Sequence, residues 1–273
     1  MDYTYLKKIL IEAIPADGVL DRQRLLEYAI NINPEFKETL FRNLLEKLLA
    51  EGDLIRVGRN QYRKANKINS KEVYRNQYSK EAQNIVEFMR QKYPLLDYRV
   101  WEINWLNEFW NHQIAQNKIF VEVERMGCEF VYTELSEKYA GNILLRPNGK
   151  ELYRYGGENT IIVDRLISES PKGTSESYNT PLEKIIVDLF ANKNLKEMVH
   201  IGEYANAIAE MFDKYYIDQV KLFRYATRRS KKDEIYDFFV EKAGIEIIVE
   251  VKRVKDREFC NRAYKYASEK QWM

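Results

Sequence analysis

The sequence predicts an α+β protein, with an N-terminal winged helix-turn-helix followed by a larger mixed α/β domain. Three observations carry this expectation. The first sixty-odd residues read as three apolar-striped helices and then two short strands. From about residue 81 onward, strand-like and helix-like segments interleave. Between these parts, residues 67–80 are polar and basic, without apolar periodicity. The expected division is residues 1–66 as a winged-helix domain, 67–80 as a linker, and 81–273 as the mixed domain.

Tyr3 to Ala13 sets Leu6, Ile9, Leu10 and Ala13 at three- and four-residue spacings and predicts a helix. Pro15 and Gly18 stop it. Asp21 is placed to cap a second short helix bearing Leu25, Leu26 and Ala29. Asn31-Ile32-Asn33-Pro34 makes a turn, and Pro34 suits the first turn of a third helix. That helix lines up Phe36, Leu40, Leu44 and Leu48, widened by Phe41, Leu45 and Leu49. The opposite face carries Thr39, Arg42, Asn43 and Glu46. Gly52 ends it. Leu54 to Val57 and Gln61 to Lys64 read as strands around the turn Gly58-Arg59-Asn60.

In the larger part, Glu81 to Lys92 predicts a helix through Ile85, Val86 and Met89, and Tyr98 to Val100 a short strand. Trp101 to Gln113 carries Trp101, Trp105, Leu106, Phe109 and Trp110, a helical aromatic stripe that suits a core better than a base-stacking surface. Ile119 to Glu124, Asn142 to Leu145 and Thr160 to Leu166 read as strands, and Phe130 to Lys138 as a helix. Ser168 to Pro181 reads as an exposed loop. Pro181 to Phe190, His200 to Phe212 and Gln219 to Arg228 read as helices. Ile245 to Val251 alternates apolar and charged residues and predicts a strand.

Composition narrows the function. The chain has 273 residues, 45% hydrophobic and 32% charged, which is enough for a core. No apolar run reaches the ~18 residues of a membrane span. Residues 1–14 mix acids and lysines among apolar positions and do not read as a signal sequence. Cys128 and Cys260 cannot build a disulfide framework, so a cytoplasmic protein with plain thiols is expected. His112 and His200 are distant from both cysteines in sequence, which gives no zinc spacing. Phosphate-loop, dinucleotide and nucleophile-elbow motifs are absent, and Gly156-Gly157 reads as a turn. No cofactor is expected.

The net charge is only +2, yet Arg56, Arg59, Arg63, Lys64, Lys67, Lys71, Arg75 and Lys80 accompany a single acid, Glu72, between Leu54 and Lys80. A basic stripe on a near-neutral chain suggests one edge facing nucleic acid; a solvated linker is the plainer account. In the winged-helix plan the third helix enters the major groove of double-stranded DNA. Thr39, Arg42 and Asn43 would face bases. Arg56, Arg59, Asn60, Tyr62, Arg63 and Lys64 would form the wing against phosphates. Glu35, Glu38 and Glu46 would repel phosphates, which suits a protein-docking module instead. Lys221, Arg224, Arg228 and Arg229, continued by Lys231 and Lys232, make a second basic face for DNA or a partner, or a solvated helix end whose cations complement the dipole.

Four segments in order carry a family resemblance. They are Trp101-Glu102-Ile103-Asn104-Trp105-Leu106-Asn107-Glu108-Phe109, Phe120-Val121-Glu122-Val123-Glu124-Arg125, Thr180-Pro181-Leu182-Glu183-Lys184-Ile185-Ile186-Val187-Asp188-Leu189-Phe190, and Leu222-Phe223-Arg224-Tyr225-Ala226-Thr227-Arg228-Arg229. After a winged helix ending Arg56-Val57-Gly58-Arg59-Asn60-Gln61-Tyr62-Arg63, they resemble the AbiEi-like antitoxins of bacterial type IV toxin–antitoxin systems. The similarity is greater still to a related winged-helix group. It spans roughly Tyr3 to Arg229. The resemblance implies an N-terminal domain that represses its own promoter. It also implies a larger domain that neutralises a nucleotidyltransferase-like toxin, in a phage-defence setting. Asn60 stands where the family's wing usually has Gly, a position where Asn tolerates positive φ. The segment after Arg229 departs from the family.

An enzyme reading competes. Asp237, followed by Glu250 and Lys252 at the end of the predicted 245–251 strand, resembles the metal-dependent PD-(D/E)xK nucleases. Two carboxylates would hold a divalent metal such as Mg, and the lysine would orient water. Against it, Glu-x-Lys is common on solvent-facing strands, and Asp237 suits a helix running from Lys231 equally well.

Overall fold

The structure is a computed structural model that describes residues 3–15, 18–34, 36–58, 60–65, 71–173, 175–249 and 251. Apolar residues at helical spacing build the first unit: α1 (Tyr3–Ala13), α2 (Arg22–Ile32) and α3 (Glu38–Ala50). They enclose Leu10, Ile14, Leu25, Ala29, Phe41 and Leu48. The Asp21 side chain caps α2 by accepting from Arg24 N–H at 2.9 Å. Leu40, expected in the buried stripe, is 54% exposed, because the core-facing row of α3 runs through Phe41, Leu44, Leu45 and Leu48.

A short strand β1 (Val19–Asp21) joins β2 (Leu54–Gly58) and β3 (Gln61–Lys64) in an antiparallel sheet of order β1-β3-β2. Asn60 turns the hairpin at φ 59°. Its carbonyl accepts from Arg22 N–H at 2.7 Å, which ties the hairpin tip to the start of α2.

The larger body is built on a second sheet of order β4-β5-β7-β6, in which β4 runs antiparallel to β5 and the other pairs are parallel. Its strands are β4 (Tyr98–Glu102), β5 (Lys118–Val123), β6 (Ile143–Leu145) and β7 (Thr160–Arg165). β5 is buried at every position, so its sequence is apolar on both faces at its centre. Ile119, Val121 and Val123 pack with α4 (Lys80–Lys92) and α5 (Cys128–Lys138). Phe120 and Ile162 face the opposite layer with α7 (Leu182–Ala191), α9 (Tyr204–Lys214) and α10 (Gln219–Arg228). The remaining helices are α6 (Gly149–Tyr155), α8 (Lys193–Met198) and α11 (Lys232–Phe238). No described helix is long and apolar enough to cross a membrane.

Four expectations change. The aromatic run is not one helix: Trp101 lies on β4 and stacks on Phe120 at 4.4 Å, and only Ile103–Glu108 coils, as a 3-10 helix. Its aromatic residues are core, as their composition suggested. Residues 245–249 form no strand. Gln219 instead holds that segment, donating to Glu246 O at 2.8 Å and accepting from Ile248 N–H at 2.9 Å. The 168–181 loop is partly buried, since Arg99, itself 0% exposed, donates to Pro171 O at 3.1 Å. The linker part at 71–79 is also held: Asn76 Nδ2 donates to Thr180 O, and Tyr74 and Tyr78 pack on the large core.

The turn at Asn60 is directly testable. Asn60→Gly should shift the urea unfolding free energy by less than about 1 kcal/mol, while Asn60→Val should cost about 1–2 kcal/mol, because a branched side chain cannot adopt this φ without strain.

Candidate nucleic-acid interface and the ionic cluster behind it

Thr39, Arg42 and Asn43 all lie on the exposed face of α3. The acids beside them are occupied. Glu38 pairs with Arg22 at 3.0 Å, and Glu46 pairs with Arg56 at 3.2 Å. Two of the three acids expected to repel phosphate are thus paired with arginines from α2 and β2, and Glu35 lies outside the described residues.

The hairpin residues behave differently from the expected wing. Arg56 is not a free cation: its side chain is 16% exposed and lies between Glu46 and Asp218, the latter at 3.6 Å. It also sits over the Tyr62 ring at 5.8 Å, and Tyr62 is 3% exposed. Arg56 therefore joins the N-terminal unit to the start of α10, with Tyr62 packed beneath it. Arg63 and Lys64 are half-buried and line a cleft of about 700 Å³ whose far wall includes Phe212, Tyr216 and Ile245. Asn60 makes the turn, and Arg59 lies outside the described residues.

On α10, Arg224 and Arg228 are exposed. Lys221 lies 3.9 Å from Asp218, and Arg228 donates to Ser168 Oγ at 2.7 Å. Arg229 turns inward, with its guanidinium 3.2 Å from the Asp188 carboxylate. It belongs to an ionic cluster that sequence reading did not assemble.

That cluster sits at the C-terminal ends of the parallel strands β5 and β7. Glu122 and Asp164 are register partners there and face the same side. Above them α7 is buried from Leu182 to Phe190, so its charged residues must find partners inside the protein. Lys184, fully buried, places its ammonium 2.5 Å from both Glu122 and Asp188. Tyr225 donates its hydroxyl to Asp188 at 3.1 Å. Burial alone would lower the Lys184 ammonium, but Asp188 and Glu122 outweigh it and hold it above the ordinary lysine value. Burial lifts the carboxyls of Glu122 and Asp164 above theirs. The signal available was the i,i+4 Lys184/Asp188 pair inside a helix that is apolar apart from these two residues and Glu183.

Only part of the expected nuclease arrangement lies within the described residues. Asp237 lies on α11, the segment meant to carry the other two residues is irregular at 245–249, and Glu250 and Lys252 lie outside the described residues. Among the described residues no three His, Cys, Asp or Glu side chains gather as a metal site.

Residues 40–244 match a family model whose description reads "Family of unknown function (DUF6577)", and the chain belongs to that family. The match spans most of α3, the hairpin and the large body, so these parts occur in it together. No curated protein matches the chain.

Lys184→Ala should destabilise the protein by about 3–5 kcal/mol, because it leaves two carboxylates buried without a cation. Urea midpoints would measure this. Asp164→Asn tests the sign of the burial effect. A raised carboxyl makes wild-type stability decline as pH climbs from the ordinary aspartate range through the raised value. The variant lacks that decline, so it should match or exceed wild type at about pH 7. The gain should vanish as the pH falls below the ordinary aspartate range.

Proposed function

We propose that the protein is a DNA-binding transcriptional autorepressor whose N-terminal unit works as a winged helix. The observation that carries this reading is α3, with Thr39, Arg42 and Asn43 exposed and the adjacent Glu38 and Glu46 engaged by arginines. The order helix, strand, helix, helix, strand, strand is the plan of a winged helix, and it supports α3 as the helix that enters a major groove. Arg42 suits a guanine edge and Asn43 an adenine edge. Binding at its own promoter would occlude transcription, in the cytoplasm and with no cofactor.

The resemblance to AbiEi-like antitoxins extends the reading to an operon of the toxin–antitoxin or phage-defence kind. There the large body would meet a nucleotidyltransferase-like toxin. The exposed basic row of Arg224 and Arg228 is a surface available to that partner or to DNA. The burial of Arg56 moves the phosphate contacts away from the middle of the hairpin and toward its tip and α3.

The test is a gel shift on the upstream DNA of its own gene against a scrambled duplex at physiological salt. A selective shift is expected. Arg42→Ala and Asn43→Ala should each weaken it by about 1–3 kcal/mol and relax selectivity at one base. Arg56→Ala should lower the melting temperature and leave the salt dependence of binding unchanged, since it neutralises no phosphate. Equal binding to both duplexes would overturn the repressor reading.

A further inference from the structure

A cavity of about 900 Å³ opens at the end of β5 opposite the ionic cluster. None of its lining residues belongs to the N-terminal unit, so a ligand site there is independent of the DNA-binding reading. Its wall includes Trp110, Leu152, Met198 and Lys118, and His112, His200 and Arg154 stand at exposed positions around it. Glu197 is the one acid in that lining.

Lys118 is the unusual member. It is 6% exposed, yet its ammonium donates only to neutral groups, Gly157 O at 2.7 Å and Gln116 Oε1 at 3.2 Å. It forms no ion pair with any described residue: the exposed carboxylate of Glu158 acts on it only from beyond contact distance. Among the described residues the other deeply buried lysine, Lys184, has two carboxylates at 2.5 Å. A buried ammonium without a counter-charge is costly, and proteins ordinarily pair it. On the same wall the Trp110 indole N–H is buried without an acceptor. His112 is oriented by a hydrogen bond with Glu203, and its ring lies 6.4 Å from that of His200. The cavity is an open cleft of a volume that admits a small ligand, with apolar and polar groups both on its wall.

We propose that this cavity binds a small organic anion, whose carboxylate or phosphate group meets Lys118 and whose apolar body lies against Trp110, Leu152 and Met198. The bound anion supplies the contact counter-charge that Glu158, exposed and out of reach, does not. Arg154 adds positive potential on the approach, and His200 offers a ring N–H to an entering anion. Burial holds the unliganded Lys118 ammonium below the ordinary lysine value, and a bound anion would reverse that shift.

The experiment is ligand-observed NMR on the full chain with matched probes. 4-(Trifluoromethyl)benzoate and phenyl phosphate are the anionic arms, and 4-(trifluoromethyl)benzyl alcohol is the neutral isostere. At least one anion should bind about tenfold more tightly than the alcohol, and the better arm assigns the headgroup. Lys118→Met should abolish that preference while keeping or raising the melting temperature, because it removes an uncompensated buried charge. The exposed pair Arg154→Ala and His200→Ala should weaken anion binding by a smaller factor with the fold intact. Three results would each overturn the proposal. The first is no anion preference in the wild type. The second is a preference that survives Lys118→Met. The third is an Lys118→Met variant that melts lower together with an Arg154/His200 variant that binds as wild type, which would make Lys118 a purely structural donor to Gly157.

Discussion

The ammonium of Lys184 is the junction on which the large body depends. It ties α7 to β5 through Glu122 and is held in turn by Asp188 on its own helix. Asp188 draws in Tyr225 and Arg229 from α10. The other end of α10 begins at Asp218, whose carboxylate caps Lys221 N–H at 3.1 Å and meets Arg56 of the hairpin. Arg56 then reaches Glu46 on α3. Two sets of charge contacts, one at the C-terminal end of β5 and one reaching the candidate DNA-reading helix, are therefore joined through the length of α10.

This linkage has a physical consequence for the N-terminal unit. A wing that closes on phosphate needs uncommitted cations, and the guanidinium at Arg56 is committed twice. The hairpin is instead one wall of a joint, with Arg63 and Lys64 facing the cleft behind it. The exposed chemistry is concentrated on α3. The two arginines that silence Glu38 and Glu46 come from outside α3, so the character of its surface depends on the fold around it.

The two ends of β5 show the same economy in opposite ways. Lys118, Phe120 and Glu122 share one face of that strand, as the period of two requires. At one end the acid is satisfied within the chain by Lys184. At the other the cation finds only neutral oxygens and borders a cavity. The first is a closed, stabilising cluster. The second has the chemistry of a receptor for an anion.

Much of this was readable from the residues. Local periodicity foretold α1 to α5, α7, α9 and α10 and the four strands of the second sheet, and Asp21 foretold the cap of α2, because those signals act over a few residues; Pro34 does not open α3, which starts at Glu38. The helix at Gly149–Tyr155 has a local signal of the same kind, the Asn148/Glu151 capping box, although no apolar stripe announces it. Asn60 at a positive φ was also foreseeable, since the two-strand hairpin demands it. The strand expected at 245–251 was not formed over 245–249, because alternation alone does not supply a neighbouring strand, and Gln219 took the backbone groups instead. The charges could not be sorted by sequence into paired and unpaired. Arg56 and Asp218, or Glu122 and Lys184, stand far apart along the chain, and only tertiary packing decides which of them meet, because a buried charge must be matched across space wherever its partner lies.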